Sequence, residues 1–296
     1  MNNAFSKLHP VTILIFFLFS IGFSMFLMQP VCLCLSLMIG FATAISFNGR
    51  KTAVFSLKIL LPLLLLTTLI NPVFNHRGVT MLTYLPWGNP LTLESVLYGV
   101  AAAALLCTVA LWFSCFHTVM TSDKLGYLFG RLIPSLSLLL SITLRFVPRF
   151  TSQLKSVRKA QKALGKDISD GTLVQRIRHA VKILSLMISI AFENSIETSF
   201  SMKSRGFGLK GRTYFSVFHF TKTDLLLLVL TVIEAVCLAI LWFTGAVHFS
   251  YFPSIKGCST EPLTLLFYII YTIFLLTPLV INCMEAVRWK RLTSAI

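Results

Sequence analysis

The stretch LRFVPRFTSQLKSVRKAQKALGKDISDGTLVQRIRHAVKILSLMISIAFENSIETSFSMKSRGFG, from Leu144 to Gly208, decides how this chain is read. Phe146, Phe150, Leu154 and Val157 recur at steps of four and three. Arg149, Lys155, Arg158, Lys159 and Lys162 fall on other faces, the pattern of an amphipathic helix. Gly165, with Lys166-Asp167 and Gly171 behind it, ends that helix. A second helix is expected to open near Thr172 and to carry Leu173, Ile177, Val181, Leu184 and Ile188 at the same steps. It runs through Phe192 to about Ser204, where Gly206 and Gly208 break it. Each helix ends on a glycine with basic residues just before it, which places cations at the negative end of the helix dipole.

On both sides of this insert the sequence is too apolar for water. Of the 296 residues, 56% are hydrophobic and only 12% charged, and the mean hydropathy is +0.82. Those values exclude a soluble globular domain and indicate an all-α integral membrane protein. A spanning helix takes ~20 mainly apolar residues, and six runs qualify: Val11 to Met28, Val31 to Phe47, Leu57 to Val73, Leu93 to Phe116, Leu225 to Phe243 and Leu263 to Met284. Leu132 to Leu144 and Ile183 to Phe192 are shorter and read as interfacial or buried helix. Were both to cross, the ten basic residues from Arg145 to Lys182 would lie outside, against the excess of Lys and Arg on the cytoplasmic side. The first run lacks a basic leader with a small-residue cleavage site, and the second follows almost at once, so no removable signal peptide is expected.

Six spans divide the chain into a four-span bundle (1–120), a cytoplasmic region of two long helices (121–222) and a final pair of spans (223–296). Between Met120 and Lys222 stand 17 basic and 5 acidic residues, a net +12 of the chain's +16. Topology and attraction to anionic lipid account for part of that charge. Arg50, Lys51 and Lys58 follow the second run and Arg288, Lys290 and Arg291 close the chain, whereas the loops assigned to the outside carry only Arg77 and Lys256. Both termini are therefore expected in the cytoplasm.

Few residues suggest chemistry. No phosphate-binding G-x-x-x-x-G-K-[ST] loop is present, so the chain is not expected to hold ATP by that device. The seven cysteines, Cys258 among them, show no C-x-x-C spacing, and the six histidines form no paired motif, so neither a disulfide framework nor a metal site is expected. Asn71-Pro72 and Pro86-Trp87-Gly88-Asn89-Pro90 predict a rigid aromatic loop at headgroup level. Glu234 lies near the middle of the fifth run, where a carboxylate is costly and marks either a functional pathway or a neutral, hydrogen-bonded group. Glu285 and Asp224, at span ends, are expected to anchor structure. The basic block lacks aromatic interleaving at a recognised spacing, which argues against nucleic acid as a partner.

A set of ordered motifs is more specific. His9-Pro10 precedes the first run, Asn71-Pro72-Val73-Phe74-Asn75-His76-Arg77-Gly78 follows the third and Leu91-Thr92-Leu93-Glu94 precedes the fourth. Then come Leu144-Arg145-Phe146-Val147-Pro148, Ala160-Gln161-Lys162-Ala163-Leu164-Gly165, Met202-Lys203-Ser204-Arg205-Gly206-Phe207-Gly208 and Glu285-Ala286-Val287-Arg288-Trp289. In order and spacing this chain resembles the transmembrane T component, EcfT or CbiQ type, of energy-coupling factor transporters. The resemblance implies a non-catalytic subunit in a prokaryotic cell membrane with no cofactor of its own. It implies two ABC-type ATPase subunits holding ATP and Mg, and a membrane-embedded S component that binds a vitamin or a transition-metal ion such as cobalt or nickel.

In that family two coupling helices end in Ala-Arg-Gly-like triplets whose arginines dock into the ATPases. The resemblance implies Ser204-Arg205-Gly206 as the second triplet. Ala163-Leu164-Gly165 stands where the first belongs, with Leu164 in place of the arginine and Lys162, Lys166 or Lys203 as supporting charge. A rival function is an autonomous secondary transporter or channel with Glu234 in its pathway and the basic region as a regulatory insert. Such carriers are commonly built from duplicated halves, which four runs before the insert and two after it do not supply.

Overall fold

The computed structural model describes residues 4–84, 90–132, 134–169, 171–209, 218–257 and 261–293. The chain divides into two compact units, Met1–Thr121 with Phe218–Ile296, and Ser122–Val217.

The first unit carries α1 (Pro10–Phe26), α2 (Pro30–Asn48), α3 (Arg50–Phe55), a π turn (Ser56–Leu60) and α4 (Leu61–Phe74). A short antiparallel pair follows, β1 (Met81–Tyr84) and β2 (Pro90–Thr92), and then α5 (Leu93–Val119). Proline at the first helical position starts α1 and α2, where its missing N–H removes no hydrogen bond. Thr92 starts α5 by accepting the Ser95 N–H through its hydroxyl (3.4 Å).

The second unit is α6 (Ser122–Leu132), α7 (Pro134–Ala163) and α8 (Leu173–Ser204). The first unit resumes with α9 (Lys222–Phe243) and α10 (Pro262–Thr293).

All six apolar runs fall on helices, and the all-α membrane class stands. Of the stretch Leu132 to Leu144, read as interfacial or buried helix, the part from Pro134 forms the first turns of α7, which runs on with Pro148 inside it. One reading is corrected. Asn71 and Pro72 belong to the last turns of α4 and not to a loop. The chain after them forms β1 and β2, while Pro86-Trp87-Gly88-Asn89 lies outside the described residues, as does Cys258. Among the described residues five helices are long and apolar enough to cross a bilayer, and one of them is α8. It is the least apolar of the five, because basic residues and serines interrupt its apolar face. Pro10–Phe26 and Lys58–Phe74 are shorter apolar helices.

Lipid tails are as apolar as leucine, so helices in a bilayer associate through close packing and hydrogen bonds. The first unit shows both. Trp112, Tyr271, Phe16, Phe17 and Phe274 are fully enclosed, and the Phe16 and Phe274 rings stand 5.2 Å apart. Within this aromatic centre the Trp112 indole donates to Ser36 Oγ (3.0 Å), which pairs with Ser24 Oγ (2.9 Å) and so joins α5, α2 and α1.

At the N-terminal end of α1, buried Asp224 accepts the His9 N–H (2.9 Å) on Oδ1. Its Oδ2 accepts the Thr221 N–H (3.0 Å) and hydroxyl (2.6 Å), closing a capping box on α9. Asp224 thus anchors structure as its position suggested. Glu94 does the same for the β turn, accepting the Thr80 hydroxyl at 2.7 Å. A side chain at Gly78 (φ +149°) would begin 2.5 Å from Glu94 Oε2, so that turn requires glycine.

Candidate functional site

The two long helices of the second unit end in the same backbone motif. After α7, Lys166 N donates to Gln161 O and Gly165 N to Lys162 O, both at 3.0 Å. After α8, Phe207 N donates to Met202 O and Gly206 N to Lys203 O, again at 3.0 Å. This paired pattern is a Schellman turn, which satisfies the last carbonyls of a helix and needs a left-handed residue. Gly165 (φ +66°) and Gly206 (φ +77°) supply it, at a position that costs other residues ~1–2 kcal/mol. Ala163-Leu164-Gly165 and Ser204-Arg205-Gly206 therefore occupy equivalent places, and Leu164 stands where Arg205 stands.

Both tips are free to meet something. Leu164 is 66% exposed; Lys162, Lys166, Lys203 and Arg205 are exposed as well. Among the described residues the Arg205 guanidinium has no side-chain hydrogen bond or ion pair. The helix end itself is tied by Ser204 Oγ donating to Ser201 O (3.0 Å).

The tips differ in what stands behind them. Asp167, 1% exposed, accepts Arg158 Nε at 3.1 Å and the Ile168 N–H at 2.9 Å on Oδ1, and the Ser169 hydroxyl at 2.6 Å on Oδ2. These bonds, that from Arg158 foremost, hold its carboxyl far below the usual carboxylate range. The Asp167 carboxylate in turn raises the pKa of Arg158. From the sequence, Asp167 reads as part of the helix-ending signal and Arg158 as part of the polar face, but their pairing is not read. Their signal was an acid and a base nine positions apart across a helix-ending glycine.

α7 and α8 meet far from the α7 tip, and the cleft between them reaches Lys203 and Phe207 at the α8 tip. Arg149 Nη2 donates to Asn194 Oδ1 (2.8 Å), beside a cleft of about 330 Å³ between Phe146, Ser195, Thr198 and Met202. At ~1.5 Å of rise per residue, the α7 tip lies roughly 21 Å from this contact and the α8 tip roughly 15 Å. The α7 tip is thus the end of a long arm, while the α8 tip borders the cleft.

The outer face of α8 is apolar for its whole length. Leu173, Ile177, Val181, Leu184, Ile188 and Phe192 are all exposed, and Ile196 and Phe200 extend the stripe beyond the predicted residues. Ile183 alone on this helix is buried.

Glu234 is half-buried on α9, and its Oε2 is enclosed without a hydrogen-bond partner among the described residues.

The CbiQ family, described as cobalt transport protein, matches residues 1–215, a segment that contains both tips. The chain belongs to that family. It is a multi-pass transmembrane component of the EcfT/CbiQ type. This CbiQ-family chain is similar to the energy-coupling factor transporter transmembrane protein EcfT of Brevibacillus brevis, 28% identical over 212 residues that cover 67% of this chain and 79% of that one. EcfT 1 of Listeria monocytogenes is 27% identical over 220 residues, 69% of this chain and 77% of its own. EcfT of Lactococcus lactis is 34% identical over a shorter 111 residues, 37% and 41% of the two chains.

Proposed function

We propose that this CbiQ-family component couples ATP hydrolysis in two ABC-type ATPase subunits to a membrane-embedded S component that takes up a vitamin or a transition-metal ion. The chain itself is non-catalytic, and ATP and Mg reside in the ATPases. It sits in a prokaryotic cell membrane with both termini in the cytoplasm, a placement supported by the basic residues at Arg50, Lys51, Arg288 and Arg291.

The observation that carries this reading is the pair of equivalent Schellman tips, each presenting one exposed side chain at the end of a long helix. Arg205 offers a planar fork of donors, able to bond carboxylates or backbone carbonyls in a fixed orientation, so it transmits a push with little slack. Leu164 docks by apolar contact, with Lys162 and Lys166 beside it. When the ATPases close on ATP the two arms change their crossing at Arg149 and Asn194. The exposed apolar stripe of α8 carries that motion to the S component.

The test is Arg205→Glu, expressed with the ATPase and S subunits. The variant inserts normally but loses ATPase co-elution and substrate uptake. Full uptake by this variant contradicts the reading.

The enclosed, unpartnered oxygen of Glu234 favours one second reading, a carrier that works without ATPases. Uptake by the chain expressed without ATPase subunits, abolished by Glu234→Gln, supports that reading. Uptake that requires the ATPases and survives Glu234→Gln dismisses it.

A further inference from the structure

A groove of about 350 Å³ runs between α1 and α9, within the first unit. Phe19, Phe23 and Val236 form its walls, and Gly22, Ala235 and Ala239 keep its floor low. A Cβ added at Gly22 would meet nothing within 4 Å. The space beside the α1 backbone is therefore open and not filled by the neighbouring helix. Glycine inside a helix costs ~0.5–1 kcal/mol relative to alanine, and nothing else in the packing of α1 requires it at this position.

Toward the C-terminal ends of α1 and α9 the groove changes character. Phe26 and Trp242 face each other there, ring centroids 6.1 Å apart. Beyond them lies a smaller hollow of about 150 Å³, bounded in part by Gln29, His248 and Phe249. The order is an apolar trough, an aromatic pair and a polar hollow. A bilayer leaflet has the same order: hydrocarbon, an interface where Trp collects, and headgroups.

Two features select the occupant. The trough is lined by apolar side chains on helices that lie in hydrocarbon, which leaves a polar ligand nothing to bond. Phe26 (70% exposed) and Phe243 (83%) project at one end, where they obstruct a straight helix but not a flexible chain. We propose that the groove holds one acyl chain of a membrane phospholipid, its headgroup level with Trp242 and His248. This site is independent of the docking tips and of the coupling reading.

The test compares wild type with Gly22→Leu, purified in mild detergent and weighed intact by native mass spectrometry. Leucine enters the open space without moving the backbone. Wild type keeps a single phospholipid through detergent exchange, and Gly22→Leu keeps none. After complete delipidation, phosphatidylethanolamine or phosphatidylglycerol raises the thermal midpoint of wild type and leaves that of Gly22→Leu unchanged. Ile273→Phe, an exposed site on α10, retains the lipid like wild type. If Gly22→Leu does not yield a monodisperse protein, Ala239→Leu fills the groove from its other wall. Equal lipid retention by wild type and the filled variant overturns the proposal, as does bound mass that is detergent or fatty acid alone. It is equally overturned if the filled variant sheds a membrane subunit from the complex while its lipid count stays the same, since the occupant is then a helix.

Discussion

α5 and α8 are both long helices rich in apolar residues, yet they dispose of those residues in opposite ways. α5 encloses Cys107, Leu111, Trp112 and Cys115 among its neighbours, and its indole is bonded to Ser36. α8 encloses Ile183 alone and leaves a stripe from Leu173 to Phe200 uncovered. α5 is covered on one face and exposes Leu97, Val100, Leu106 and Phe113 on the other, whereas almost none of α8 is covered. The comparison separates a packed bundle from a helix whose apolar face the described residues leave uncovered.

Substitutions can break that contrast, beginning with the largest expected effect. Trp112→Ala leaves a cavity in the bundle and removes the bond to Ser36, with an expected loss of about 3 kcal/mol, read as a lower thermal midpoint in detergent. Asp167→Asn is the next strongest and acts locally. It weakens the bond from Arg158 and loosens the elbow, the turn that follows α7, read as faster amide exchange over residues 164–169 with the first unit unchanged. The pH dependence of that elbow follows from a carboxyl whose folded pKa is depressed. Its stabilisation is fully present above the unfolded value of ~3.9 and is lost as pH falls through the folded value. The protection factor of this turn, exchange corrected for its intrinsic pH dependence, is accordingly flat from neutral pH down to about pH 5 and falls only in stronger acid. The smallest effect on folding belongs to the α8 stripe. Val181→Ser with Ile188→Ser changes stability by less than ~0.5 kcal/mol per site, while S-component co-elution falls. A stability loss comparable to that of Trp112→Ala would show that α8 is packed like α5.

The sequence made much of this legible because glycine and periodicity speak locally. Gly165 and Gly206 marked both helix ends, and Thr172 marked the start of α8 within a residue. Span positions followed from apolar runs long enough to leave little choice. What stayed hidden depends on distant partners. The continuity of α7 through Pro148 defies the rule that proline ends helices. α6 is short and of mixed composition, and the cap-type residues Thr121-Ser122-Asp123 at its start lead into only 11 helical residues. β1 and β2 depend on Glu94 reaching back to Thr80, a contact fourteen residues apart in sequence. The role of Asp167 is of the same kind, because local counting cannot tell a bonded charge from a solvated one.

The equivalence of the two tips sets the central claim: one backbone motif, two unlike side chains, unequal docking. ATPase co-elution from membranes expressing Leu164→Ala or Arg205→Ala tests it most directly, since both changes preserve the glycine turn. Arg205→Ala is expected to lose most of the bound ATPase and Leu164→Ala to keep more of it. An equal or larger loss for Leu164→Ala contradicts the account.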